Sequence, residues 1–141
     1  MKQYANPSSV YKEARIRTAG QGQLIVMLYD EAIKQIDMAL QAMENHAKKL
    51  DAIHNAITKA QNVLTELMVS LDFDKGGEVA KDLFNLYMFF NRQLMEGNVR
   101  KDAAPLRVVR NFMAQIRESW VQIANTQVQP AASGPGVNIA G

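Results

Sequence analysis

Between a few clusters of glycine and proline, the apolar residues of this chain recur every three or four positions, the spacing of one helical face. Over residues 24–45 the set Ile25, Tyr29, Ala32, Ile36, Ala39, Leu40 and Met43 predicts a first helix. Over 51–71, Ile53, Ile57, Ala60, Leu64, Leu67 and Leu71 step by 4, 3, 4, 3 and 4. That is the seam of a helix packed nearly parallel or antiparallel to its neighbours. Val79, Leu83, Leu86, Tyr87, Phe90 and Leu94 predict a third helix over 78–95. Leu106, Val109, Met113, Ile116, Trp120 and Ile123 predict a fourth over 102–125, with Asp102 as its N-cap and Pro105 in its first turn. No strand alternation is sustained and no internal repeat is present.

Four such helices with short connections pack most simply as an antiparallel four-helix bundle, so the expected class is all-α. The bundle is expected over 23–126, its core including Ile25, Tyr29, Ile57, Leu64, Leu83, Leu86, Phe90, Met113 and Trp120. Residues 1–22 form a cap segment, within which Ser8 or Ser9 can start a short helix through Arg17. Residues 127–141, rich in Gly, Ala, Pro and Ser, read as a disordered tail. Gly20, Gly22, Gly76, Gly77, Gly97 and Pro130 are the main punctuation.

The apolar pattern contains more than a core requires. The run Leu86-Tyr87-Met88-Phe89-Phe90 is apolar all round its helix. Phe84, Met88 and Met95 form a second stripe about 120° from the third seam at about 100° per residue. Phe89 points elsewhere again, Val108 and Phe112 lie one turn apart off the fourth seam, and Met27 and Met38 lie nearly opposite the first. A small bundle uses wide stripes, and the N-terminal segment can cover what remains. A large apolar surplus also marks a binding surface, into which a helical or extended peptide can be laid. The candidate groove is Phe84, Met88 and Met95, with Tyr87, Phe89, Val108 and Phe112 around it.

Composition narrows the function by exclusion. Of 141 residues, 48% are apolar and 21% charged, which fits one globular domain and excludes wholesale disorder. The absence of cysteine removes disulfides, thiolate metal sites and thiol nucleophiles together. No stretch is apolar enough to read as a signal peptide or membrane span, so the expected location is the cytoplasm, without membrane insertion. Net charge is only +2, too balanced by itself to indicate nucleic acid. Arg107, Arg110 and Arg117 form a basic stripe, with Arg92, Arg100 and Lys101 nearby. It reads as a solvated edge whose stems cover the core, or as a steering surface for an acidic partner. Eight methionines suit an adaptable surface, though methionine serves more often as core filler.

Catalytic and metal-binding patterns are missing. His46 and His54 lack the Glu-x-x-His spacing of di-metal bundles, and the chain has no nucleophile elbow, P-loop or dinucleotide fingerprint. Asp72, Asp74 and Glu78 around Gly76 and Gly77 have the wrong spacing for a calcium loop and read as a turn between helices. No catalytic residue, cofactor or metal is expected; the protein is not expected to be an enzyme.

Residues from Tyr11 to Ile123 together resemble a known family. Tyr11-x4-Ile16-x-Thr18-Ala19 precedes Gln23-Leu24-Ile25-x-Met27-Leu28-Tyr29-Asp30, and Lys59-Ala60-Gln61-Asn62-Val63-Leu64 follows on the second helix. Leu71, then Asp74-Lys75-Gly76-Gly77-Glu78-Val79-Ala80, Leu83 and Leu86-Tyr87 lead into the third. Arg92-x-Leu94-x3-Asn98-x3-Asp102 and Arg117-x2-Trp120 complete the set. In order and spacing these are similar to the flagellar secretion chaperones that bind flagellin, the FliS family. One departure stands out: Ala19-Gly20-Gln21 replaces a Ser-Pro or Thr-Pro helix start.

The resemblance implies a cytosolic helical bundle that binds the disordered C-terminal segment of flagellin and prevents premature polymerisation. It also implies delivery to the flagellar type III export gate, through the cytoplasmic domain of FlhA. The N-terminal segment is implied to cover the groove and move aside for the client, with Tyr11 and Ile16 as the covering residues. The competing class is a structural helical-bundle adaptor without an export role, and a basic RNA-binding bundle is more remote.

Overall fold

The computed structural model describes residues 21–45 and 49–133. Four helices account for nearly all of them: α1 Gln21–Glu44, α2 Leu50–Val69, α3 Phe73–Arg100 and α4 Ala103–Ser133. Residues 1–20 of the expected cap, with its Ser8 and Ser9 start and the covering residues Tyr11 and Ile16, together with His46 and residues from 134 onward, lie outside the described residues. Gln21 and Gly22, expected in the cap, open α1, and 127–133, expected in the tail, continue α4. The fold is all-α, with the helices packed together.

Two compact units are distinguished. The larger, Leu28–Arg117, holds most of α1, all of α2 and α3, and the first half of α4. Its core is Tyr29, Ala32, Ile36 and Ala39 from α1, Ile53, Ile57, Ala60, Leu64 and Leu67 from α2, Tyr87, Phe90 and Leu94 from α3, and Leu106, Val109 and Met113 from α4, all essentially solvent-free. Burying side chains of this size contributes about 1.5–3 kcal/mol each, the main term opposing chain entropy. The second unit contains residues 21–27 and 118–133; there Ile25 and Ala124 are buried and Trp120 is half-buried.

Two ladders of polar contacts fix helix direction in the larger unit. On α1 and α4, Asp30 pairs with Arg117 and Asp37 with Arg110, the latter at 3.0 Å. On α2 and α3, Gln61 donates to Asn91 at 3.0 Å, and Asn98 meets His54 at 2.9 Å. In both ladders the partners are two turns apart on each helix and run in opposite order along the chain, so each pair is antiparallel. The hydroxyls of Tyr29 and Tyr87 meet at 2.9 Å in the core, one donating to the other.

The helix ends follow elementary chemistry. The Asp102 carboxylate accepts the Ala104 N–H at 3.0 Å, as an N-cap should. Asp72, considered above in a calcium-loop context, caps α3 by accepting the N–H groups of Asp74 and Lys75. Gly77 then breaks the helical path with φ 52° and ψ −126°, backbone that suits glycine alone. α3 continues past Gly97 to Arg100, because this glycine does not end the helix. A side chain there would strike Leu106 and approach the Asp102 carbonyl at 3.1 Å, so Gly97 lets the start of α4 come close.

Two seams shift by one residue from their expected positions. On α3, Val79 is 65% exposed and Ala80 is buried, since the Gly77 bend resets the phase of the first turn. On α4, Ala124 is buried and Ile123 is exposed. A stripe spaced like a heptad drifts off the face of a straight helix by about 20° per seven residues, and over this length the drift hands the position to the neighbour. α4 is also helical through Ser133, beyond the 125 expected.

Candidate functional site

α3 is held on both sides, by α2 through Asn91 and Asn98 and by α4 through the contact of Phe90 with Phe112. Its apolar surplus therefore divides between two edges. At about 100° per residue, Phe84, Met88 and Met95 fall within about 40° of one another, just outside the asparagines that bond to α2. Met88 is 39% and Met95 50% exposed, while Phe84 is half-buried. Phe89 lies about 100° beyond Met88 on the helix. Its ring sits 6.1 Å from Phe90, which in turn sits 6.0 Å from Phe112. Val108 and Phe112, one turn apart on α4, are 40% and 45% exposed.

The expected groove is thus two strips. One follows the α2 edge of α3 and is rich in methionine; the other follows the α4 edge and is aromatic. Between them the outermost face of α3 carries Lys81, Asn85, Arg92 and Glu96, all exposed. The α2 side chains that bond to α3 beside this strip are His54 and Gln61, both polar. Val99, 79% exposed and about 20° from Met88 around the helix, extends this strip by one turn. Phe73 adds to its other end, its ring edge-on to Phe84 with centroids 6.0 Å apart. The sequence hid both: Val99 stands alone beyond an apparent glycine stop, and Phe73 precedes the Gly-Gly pair taken as a turn.

Tyr87 is a correction. Only 1% of it is exposed, and its hydroxyl is committed to Tyr29, so it belongs to the core and offers no side chain to a ligand. Burial, and secondarily the neighbouring Tyr29, push its ionisation well above the usual tyrosine range. The remaining groove residues stay at or near the surface. Of the expected core, Ile25, Tyr29, Ile57, Leu64, Phe90 and Met113 are buried, while Leu83, Leu86 and Trp120 are half-buried.

The basic stripe has a structural use that its sequence did not reveal. Arg110 and Arg117 both reach across to aspartates of α1, with bidentate geometry in each case. Their charge is largely matched within the bundle, which leaves a poor electrostatic footprint for a phosphate backbone. Among the described residues no three His, Asp or Glu side chains cluster as metal ligands, and no helix is long and apolar enough to cross a membrane.

Long helices, two exposed apolar strips and internally matched charge suit a protein-binding surface. A family model described as "Flagellar protein FliS" matches residues 4–127. The chain belongs to the FliS family. It is 34% identical to the flagellar secretion chaperone FliS of Salmonella typhimurium, over 88% of this chain and 89% of that one. Similarity to the flagellar secretion chaperone FliS of Bacillus subtilis is 27% identity over 94% and 96% of the two chains. The flagellar secretion chaperone FliSB of Pseudomonas aeruginosa is 30% identical over 89% and 95%. All three relatives are named as flagellar secretion chaperones.

Proposed function

We propose that this chain is a cytoplasmic export chaperone for flagellin. Its strip of Phe84, Met88 and Met95 holds the client's disordered C-terminal segment, keeps it from polymerising, and delivers it to the export gate through the cytoplasmic domain of FlhA. The carrying observation is that Met88 and Met95 of this strip stay exposed on a FliS-family bundle, beside the polar α2 residues His54 and Gln61. A disordered client loses ordering entropy when it binds, so a long apolar contact is needed to offset it. Methionine suits that contact because its unbranched chain adapts to different side chains.

In this reading the second strip, Phe89, Val108 and Phe112, contributes to the client surface, and the residues ahead of α1 form a cap. Tyr11 and Ile16 cover the apolar surface in the client-free state and move aside. Such a cover subtracts from net affinity and makes release feasible.

Titration calorimetry with a flagellin C-terminal peptide tests the assignment. The double variant Phe84→Asp with Met88→Asp is expected to keep its helical circular dichroism and lose at least about a hundredfold in affinity, since two buried carboxylates would lack partners. Unchanged affinity in the folded variant would move the site elsewhere. Wild-type affinity should alter little between low and moderate salt, whereas phosphate binding would weaken steeply. Deleting residues 1–17 should tighten peptide binding or leave it unchanged; strong weakening would make that segment part of the client surface.

A further inference from the structure

The start of α3 is built differently from the rest of that helix. Residues Phe73–Gly76 form one turn, tied at its N-terminus by the Asp72 carboxylate and by a 2.7 Å bond from the Gly76 N–H to the Asp72 carbonyl. Gly77 then departs from helical geometry at φ 52°, with open space where a Cβ would stand. Gly76 is also constrained: a Cβ there would lie 2.8 Å from that of Ala80. The turn is a self-contained, internally capped unit, joined to the long part of α3 through a single non-helical residue.

This unit carries Phe73, which is 48% exposed and meets the rest of the molecule edge-on at Phe84. Phe84, against the Phe73 ring, is half-buried, whereas Met88 and Met95 on the same strip are exposed. An edge-to-face ring contact is a weak attachment. Rotation at Gly77, with the non-helical Leu71–Asp72 link to α2 giving at the other end, can lift Phe73 away while leaving the cap bonds of Asp72 inside the turn that moves. The hinge sits at a residue that absorbs a change in φ and ψ without steric penalty.

We propose that Phe73 is a gate: it occupies the Phe84 end of the client strip in the free protein and is displaced by the client about the Gly77 hinge. This deepens the chaperone reading and rests on it. Phe73 then competes with a client side chain for Phe84, lowering affinity and favouring groups able to replace an aromatic ring.

Two titrations on the full chain test the gate, one with a flagellin C-terminal peptide and one with the apolar dye anilinonaphthalene sulfonate. With Phe73→Ala the peptide is expected to bind about three- to tenfold more tightly, the size of a released aromatic pair. The same variant should take up more dye, and adding Phe84→Ala should abolish both gains. Weaker or unchanged peptide binding by Phe73→Ala would overturn the gate, making Phe73 a contact or a bystander. If the wild type binds no peptide, the flagellin reading fails by itself. The dye titration then decides the gate: raised uptake in Phe73→Ala supports it, and unchanged uptake overturns it. Circular dichroism of each variant confirms that the helices remain.

Discussion

The two strips that flank α3 have nearly the same exposure and different attachments. On the α2 edge, Met88 and Met95 project from the helix beyond the polar ladder of Gln61, Asn91, His54 and Asn98. On the α4 edge, Phe89 and Phe112 are the outer members of a chain of rings running inward through Phe90 to Tyr87 and Tyr29. A thioether on the first edge changes rotamer without disturbing the core. A ring on the second is held by rings that are themselves solvent-free, Phe90 and Tyr29 among them. The difference teaches that exposure alone does not mark a surface available for binding. What a side chain is anchored to decides whether its removal is felt as lost affinity or as lost stability.

Truncation on each edge sharpens this contrast most strongly. Phe90→Ala is expected to destabilise by about 3–5 kcal/mol, because a fully buried ring leaves a cavity that neighbours fill only partly. Phe112→Ala should fall well below that value, and Met88→Ala within about 0.5 kcal/mol of the native protein. Urea unfolding of the three variants checks the order. Equal losses for Met88→Ala and Phe112→Ala would erase the proposed distinction between the edges.

A smaller effect lies deeper in the ring chain. Tyr87→Phe removes the hydroxyl–hydroxyl bond to Tyr29 and is expected to lower stability by about 0.5–1.5 kcal/mol, measured by urea unfolding. The pH dependence has a defined sign. Burial and then Tyr29 raise the ionisation of Tyr87 in the folded state above its unfolded value near 10. Its neutral form is therefore favoured on folding; the associated stability is fully present below pH about 10 and declines as pH rises further. The alkaline limb of a stability–pH profile should be shallower in Tyr87→Phe. An unchanged limb would mean that Tyr87 ionises as easily folded as unfolded.

The smallest expected effect concerns the α1–α4 ladder. Arg110 and Asp37 are each more than a third exposed, so breaking their pair should alter stability by no more than about 1 kcal/mol, and less at high salt. A double-mutant cycle on Arg110→Gln and Asp37→Asn measures it. A coupling much larger than this would place the charged ladder, and not the rings, as the main restraint on α4.

Much of this architecture is legible in the chain, because helical periodicity is local. The second-helix seam from Ile53 to Leu67 is buried where its 4, 3, 4, 3 stepping requires it, and Asp102 caps the fourth helix because its carboxylate needs only the next turn. Phe84, Met88 and Met95 separate from the core for the same local reason: an angle around one helix. Tyr87 shows the limit. Its spacing fits both the seam and the surplus, and only Tyr29 on another helix assigns it to the interior.

By itself the sequence determined the helices, their apolar faces, the excess of apolar side chains on α3, and a family likeness spread along the chain. Those depend on contacts within a few residues, or on the order of the residues themselves. Tertiary structure decided the division of that excess into two strips, since it depends on which side of α3 each neighbouring helix takes. It also matched two arginines of α4 to aspartates of α1 more than 70 residues away, placed Gly97 where α4 approaches, and set Phe73 against Phe84 across a glycine bend. Each of these is a distance between chain segments, and periodicity along one helix contains no information about that distance.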